Sequence, residues 1–130
     1  MPNYTLKACY TPEMSFVNHL SNGSRIKLET KYSYNVKYSR EFTCRGELTA
    51  DICDKDEPTK FHIKVVTVGI FSFKEGSDKD ILHIDTYKAL FPYVRALVST
   101  ITANSGIPAI VLPEVDMEGQ NIYRIGDIGT

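Results

Sequence analysis

The residue types able to do chemistry are few and scattered in this chain. Three histidines, His19, His62 and His83, fall in separate segments, and the three cysteines, Cys9, Cys44 and Cys53, include no close pair. His83 and Asp85 make the one tight histidine–carboxylate spacing. If that piece were extended, alternation would place both on one strand face, as a base and the group that orients it. An ordinary surface pair fits the same spacing. A cysteine nucleophile needs a neighbouring base that the sequence does not supply, and in strand-like segments a free cysteine behaves as a small hydrophobe. No G-x-S-x-G elbow, P-loop, dinucleotide-binding glycine pattern or H-E-x-x-H occurs. These residues point away from an enzyme, and no cofactor or metal is expected.

The tyrosines carry more information. From residue 25 onward, even positions read Ile26, Leu28, Thr30, Tyr32, Tyr34, Val36 and Tyr38, then Phe42, Cys44, Leu48, Ala50 and Ile52, while odd positions are mostly charged or polar. Alternation of this kind makes one apolar and one polar strand face. Twenty-eight residues in a single strand would reach on the order of 90 Å, too long for a domain of this size, so the run must fold back as a hairpin. Arg40 is the one charge on the apolar side before Gly46, which puts the turn near residues 38–41. An aromatic face without buried charge can receive apolar side chains of a partner, or can be the floor under a helix.

The remaining elements come from the same periodicities. "NYTLKACY" and "EMSFVNHL" read as one strand kinked at Pro12. "KFHIKVVTVGIFSF", residues 60–73, has a fully apolar odd face and an even face that turns apolar at Val66, Val68 and Ile70, so its later half should be covered on both sides. "ALFPYVRALVSTITANSGIP", residues 89–108, predicts a helix with Pro92 near its start and Gly106 after its end. Its main stripe is Leu90, Val94, Leu97, Val98 and Ile101; a second stripe, Tyr93, Ala96, Thr100 and Ala103, holds small or amphipathic residues. Four strands followed by a helix indicate an α+β fold, a four-stranded antiparallel sheet with one long helix packed on a face. Because one domain offers that helix a single sheet, the second stripe is expected to meet another copy of the chain or a partner. A helix of about 15 residues, roughly 22 Å long, cannot cover a long sheet, so Ile26 and Leu28 should be exposed.

Composition sets the limits. The chain has 130 residues, 42% hydrophobic and 24% charged, with a formal net charge of -1. That suits a single domain, residues 1–130, and gives no reason to expect a nucleic-acid partner. An odd number of unpaired cysteines suits a reducing, cytoplasmic setting, and no signal peptide or membrane-inserting stretch is visible.

Several words of the sequence resemble the SecB export chaperones. "YTPEMSF" resembles their Y-T-x-D/E-x-S-F segment, and "GIFSF" (residues 69–73) their G-I-F-S strand end. "LFPYVR" through "GIPAIVLPEVDM" resembles their long helix and the G-x-P and L-x-P-V segment after it. The resemblance covers roughly residues 4–117 and implies a tetramer, a dimer of dimers with the helices between two sheets. It also implies ATP-independent holding of non-native polypeptide in apolar grooves, either for transfer to the SecA motor or, in relatives, for protection of an antitoxin. Residue by residue, it assigns client binding to Ile26, Leu28, Thr30, Leu112, Ile122 and Tyr123, and partner docking to Glu13. The small stripe, Tyr93, Ala96, Thr100 and Ala103, becomes the oligomer interface. Val17 and Lys64 stand where the family has further acids, which argues against SecA docking. The family's second helix is not evident: "EGQNIYRIGDIGT", residues 118–130, has three glycines in thirteen residues and reads as an irregular tail. The alternative to a general chaperone is the same fold kept as an interaction module for one specific protein.

Overall fold

The structure, a computed structural model, describes residues 4–21, 23 and 26–113. Four strands come first: β1 (Tyr4–Asn18), β2 (Leu28–Ser39), β3 (Thr43–Asp54) and β4 (Phe61–Phe73). They form one antiparallel sheet in the order β1-β4-β3-β2. A single helix, α1 (Lys79–Ala103), comes next and packs on one face.

The long alternating run folds back as expected. β2 and β3 pair without a register break from Leu28↔Asp54 to Ser39↔Thr43, joined by residues 40–42. No glycine makes the turn; Glu41 and Phe42 take left-handed backbone conformations instead, with φ of 66° and 56°. β1 is one strand, but its register with β4 slips between Leu6 and Ala8 and again between Tyr10 and Glu13. Pro12 falls in the second slip, where its missing N–H breaks no ladder bond.

β3 alternates cleanly, with Cys44, Leu48, Ala50 and Ile52 buried beneath the helix. In β4 both faces are buried midway. Val65 and Phe71 lie in the helix-side core, while Val66 and Val68 are buried on the outer face between their cross-strand neighbours, Tyr10 and Glu13 of β1 and Glu47 and Thr49 of β3.

The helix corrects the sequence reading. It begins at Lys79, with Asp78 as N-cap accepting from the Asp80 N–H at 2.9 Å. The buried residues Leu82, Thr86, Tyr87, Leu90, Phe91, Val94, Val98 and Thr102 recur at spacings of three and four along its whole length. Pro92 therefore lies well inside the helix rather than at its start. Threonine and tyrosine hide the first half of this pattern from a count of aliphatic residues. Thr86 fits there because its hydroxyl donates to the Leu82 carbonyl at 2.7 Å and receives the Tyr34 hydroxyl's hydrogen at 2.5 Å. Gly46 makes room for that contact, since a Cβ there would overlap the Tyr34 hydroxyl.

Candidate functional site

The histidine–carboxylate spacing does not make a site. His83 and Asp85 sit on α1, two residues apart, and helical side chains at that spacing diverge. The His83 ring packs on Tyr34, with centroids 5.0 Å apart. The close pair is one the sequence did not suggest: His62 Nε2 lies 2.6 Å from Asp51 Oδ1 across β3 and β4. Burial pushes the thiols of Cys9, Cys44 and Cys53 above their ordinary range, with the Glu29 carboxylate adding to this at Cys53. A protonated thiol is a poor nucleophile. Among the described residues, no cluster of three or more histidine, cysteine and acidic side chains could hold a metal ion.

An apolar groove lies at the end of the sheet where β1 stops and β2 starts. Its volume is about 630 Å³, and it is lined by Leu20, Ile26, Leu28, Phe61, Ile107, Ile110 and Val111 among others. Each wall has a local cause. Leu20 is placed by a turn in which its N–H donates to Asn18 Oδ1 at 3.1 Å, and the His19 N–H reaches the Lys60 carbonyl at 2.7 Å. The β2 side is held by the Lys55 N–H donating to the Lys27 carbonyl at 2.8 Å, which continues the β2–β3 pairing past Leu28. The third wall is the segment after the helix, which turns at Gly106 with φ of 84°, a conformation that only glycine adopts without cost. Phe61 is buried and packs edge-on against Phe16 at 5.6 Å. Leu28 and Val111 remain 43% and 67% exposed, so the groove is apolar and faces solvent.

This arrangement sorts the residues named from sequence. Ile26 and Leu28 line the groove together. Thr30 is half-buried two residues further along β2, opposite Ile52, and does not line the groove. Leu112 needs correcting: it is 1% exposed and belongs to the core, because its side chain points inward while Val111 points out. Ile122 and Tyr123 lie outside the described residues. The wall residues Ile107, Ile110 and Val111 were missed; the apolar run "IPAIVLP" after Gly106 was the available signal.

A second apolar groove, about 670 Å³, runs between β1 and α1 and is lined by Cys9, Tyr10, Thr11, Pro92, Tyr93, Ala96, Leu97 and Thr100. The small stripe is exposed in the single chain, Tyr93 at 48%. Ala103 is exposed too but lies outside this groove.

The outer sheet face is polar and internally paired. Glu13 Oε2 lies 3.4 Å from Lys64 Nζ, and Arg45 Nη1 lies 3.0 Å from Glu47 Oε1. Val17 stands directly opposite His62.

Comparison with known proteins gives this geometry its context. A family model described as "Preprotein translocase subunit SecB" matches residues 1–125. The chain belongs to the SecB family. It is 30% identical over 126 residues to a protein-export protein SecB of Orientia tsutsugamushi, covering 88% of this chain and 79% of that one. An uncharacterized protein of Methanocaldococcus jannaschii is 33% identical over 110 residues, 81% of this chain and 71% of the relative. Among solved structures, a Mycobacterium tuberculosis SecB-like chaperone in complex with a ChAD peptide from the HigA1 antitoxin shares the fold. Its TM-score is 0.71 at 11% identity, covering 88% of this chain and 91% of that one. The four-stranded sheet with one helix behind it is thus the SecB architecture. Among the described residues, no helix is long and apolar enough to cross a membrane.

Proposed function

We propose that this SecB-family chain is an ATP-independent holding chaperone that takes non-native polypeptide into the groove between Ile26, Leu28 and residues 107–111. The observation that carries this is the groove itself: an apolar cleft of about 630 Å³, open to water, with Leu28 and Val111 left uncovered. Apolar area of that kind is what an unfolded segment seeks, and binding by area needs no sequence motif in the client. No enzymatic step is invoked. The structural neighbour from M. tuberculosis holds an antitoxin peptide, which makes a single dedicated client a natural variant of the same activity.

Glu13 favours that variant over transfer to SecA. As a partner-docking residue it would need an unneutralised carboxylate, and here Lys64 lies 3.4 Å away while Val17 supplies no second acid. The groove between β1 and α1 supports self-association through Tyr93, Ala96 and Thr100, into a dimer or tetramer acting in the cytoplasm. The test is light scattering of a chemically unfolded protein diluted into buffer without nucleotide. The chain should suppress aggregation near one-to-one stoichiometry. Aggregation unaffected at a several-fold excess of chaperone defeats the reading. A pulldown from native lysate then separates a general holder, with many clients, from a module with one stoichiometric partner.

A further inference from the structure

The charge that stands alone in the helix stretch 89–108, Arg95, has a task outside the helix. Its Nε donates to the Leu112 carbonyl at 2.9 Å, and its guanidinium lies over the Phe91 ring, 4.9 Å from the centroid, which fixes its direction. One turn on, Ser99 Oγ donates to the Ile110 carbonyl at 2.8 Å. Three residues further, Thr102 Oγ1 accepts from the Ile110 N–H at 2.9 Å while donating its own hydrogen to the Val98 carbonyl at 2.8 Å. Positions 95, 99 and 102 form one stripe of the helix, so three side chains grip two alternate residues, Ile110 and Leu112, of the segment running beside it. Tyr32 adds a fourth bond, its hydroxyl donating to the Pro113 carbonyl at 3.2 Å.

This segment is the third wall of the groove, and it is not a sheet strand. Among the described residues its hydrogen bonds come from side chains, and its apolar anchorage is Leu112, buried at 1%, with Ile107 and Ile110 half-buried against the core. Val111 beside it is two-thirds exposed. The segment leaves the helix through Gly106, whose φ of 84° and open surroundings make it the natural pivot. The polar contacts that position the wall are therefore those of the helix stripe and Tyr32, beside the packing of Ile107, Ile110 and Leu112.

We propose that Arg95, Ser99 and Thr102 form a latch that positions residues 107–112, and that the latch sets the groove's affinity for polypeptide without touching it. They are positioning residues. With the latch intact the wall is preformed, and a client does not have to order it. With the latch weakened the wall spends part of its time swung away, and apparent affinity falls in proportion to the competent fraction. The inference rests on the groove being the client site.

The test uses the full chain with Arg95→Met, Ser99→Ala and Thr102→Val, singly and combined, and has two independent arms. The first is amide hydrogen exchange without any client. The Ile110 amide, which donates to Thr102 Oγ1, should exchange faster in Arg95→Met and Ser99→Ala, while the central amides of β3 and β4 keep their protection. The second is titration with reduced, carboxamidomethylated α-lactalbumin as a permanently unfolded probe. Arg95→Met should weaken binding by up to about tenfold, the limit reached if the loss of one hydrogen bond from a charged donor appears wholly as opening of the wall, and Arg95→Lys should restore part of it. Unchanged exchange at the Ile110 amide overturns the latch. Faster exchange there with unchanged affinity overturns its role in binding. Faster exchange in β3 and β4 to the same degree shows general destabilisation and also overturns it. If the parent chain binds no unfolded probe, the groove reading itself fails, which the exchange arm, needing no client, does not depend on.

Discussion

Leu28 allows the groove to be tested with a worked magnitude. It is the first residue of β2 and remains 43% exposed. Fully burying a leucine contributes roughly 1.5–3 kcal/mol, so covering the exposed two-fifths with a client contributes about 1 kcal/mol. Leu28→Ala should therefore raise the dissociation constant about fivefold. A charge costs more. Leu28→Lys keeps an aliphatic stem that can lie along the groove with its head in water, and about tenfold is expected. Leu28→Asp is the less clean probe, for a reason the register supplies. Leu28 is the direct cross-strand partner of Asp54, which is 5% exposed, so the variant sets two carboxylates face to face. Its thermal midpoint should drop, whereas Ala and Lys at an exposed position should stay within about 0.5 kcal/mol of the parent. The assay is titration with an unfolded protein, read beside thermal unfolding of each variant. If Leu28→Ala and Leu28→Lys hold the probe as tightly as the parent, with unchanged midpoints, the groove is not where polypeptide binds.

Burial holds the Tyr34 hydroxyl well above its ordinary value of 10.0. The folded chain thus keeps a proton that the unfolded chain releases, and the associated stability, complete below about pH 10, is lost as pH rises past it. The denaturant midpoint should fall above pH 10, less steeply in Tyr34→Phe. Gly46→Ala should destabilise by about 1–3 kcal/mol in urea titration, because the new methyl overlaps the Tyr34 hydroxyl and ring. Glu13→Gln breaks a half-exposed ion pair, and its midpoint should shift by less than about 1 kcal/mol; a larger loss would mean the pair organises the outer face.

The strands and the folded-back hairpin were legible because a two-residue period is a strong signal wherever one face is buried, and β2 and β3 each have one. The kink at Pro12 was legible for the same reason. The helix was legible only from residue 89, since its first turns bury Thr86 and Tyr87, residues that hydropathy does not rank as core. Burial of Thr86 depends on hydrogen bonds to Tyr34 and to the Leu82 carbonyl, and the first of these exists only once the helix lies on the sheet. Leu112 shows the complementary limit. Its type suits a groove or a core equally, and what decides is the latch on its carbonyl, which turns the side chain inward. Leu28 is exposed, as expected. Ile26, expected to be exposed as well, is half-buried against the core, and the helix, at 25 residues, is longer than that expectation assumed.

The two apolar grooves have no lining residue in common. One is built from the middle of β1 and the exposed stripe of α1; the other from the ends of the strands and the segment after Gly106. The outer face between the sheet edges competes with neither, because it is polar, with Glu13–Lys64 and Arg45–Glu47 ion-paired and His62 hydrogen-bonded to Asp51, and Val66 and Val68 are buried within it. An assembly formed through the Tyr93–Thr100 stripe would therefore leave the Leu28 groove open, and client binding should not be linked to the association equilibrium. Ala96→Arg places a long cation on that stripe at an exposed position. Sedimentation should show a smaller particle, with affinity per chain for an unfolded protein unchanged. Leu28→Lys should do the reverse, lowering affinity at constant particle mass. If Ala96→Arg lowers both together, the client site is completed by a second chain, and the separation argued from the lining residues is wrong.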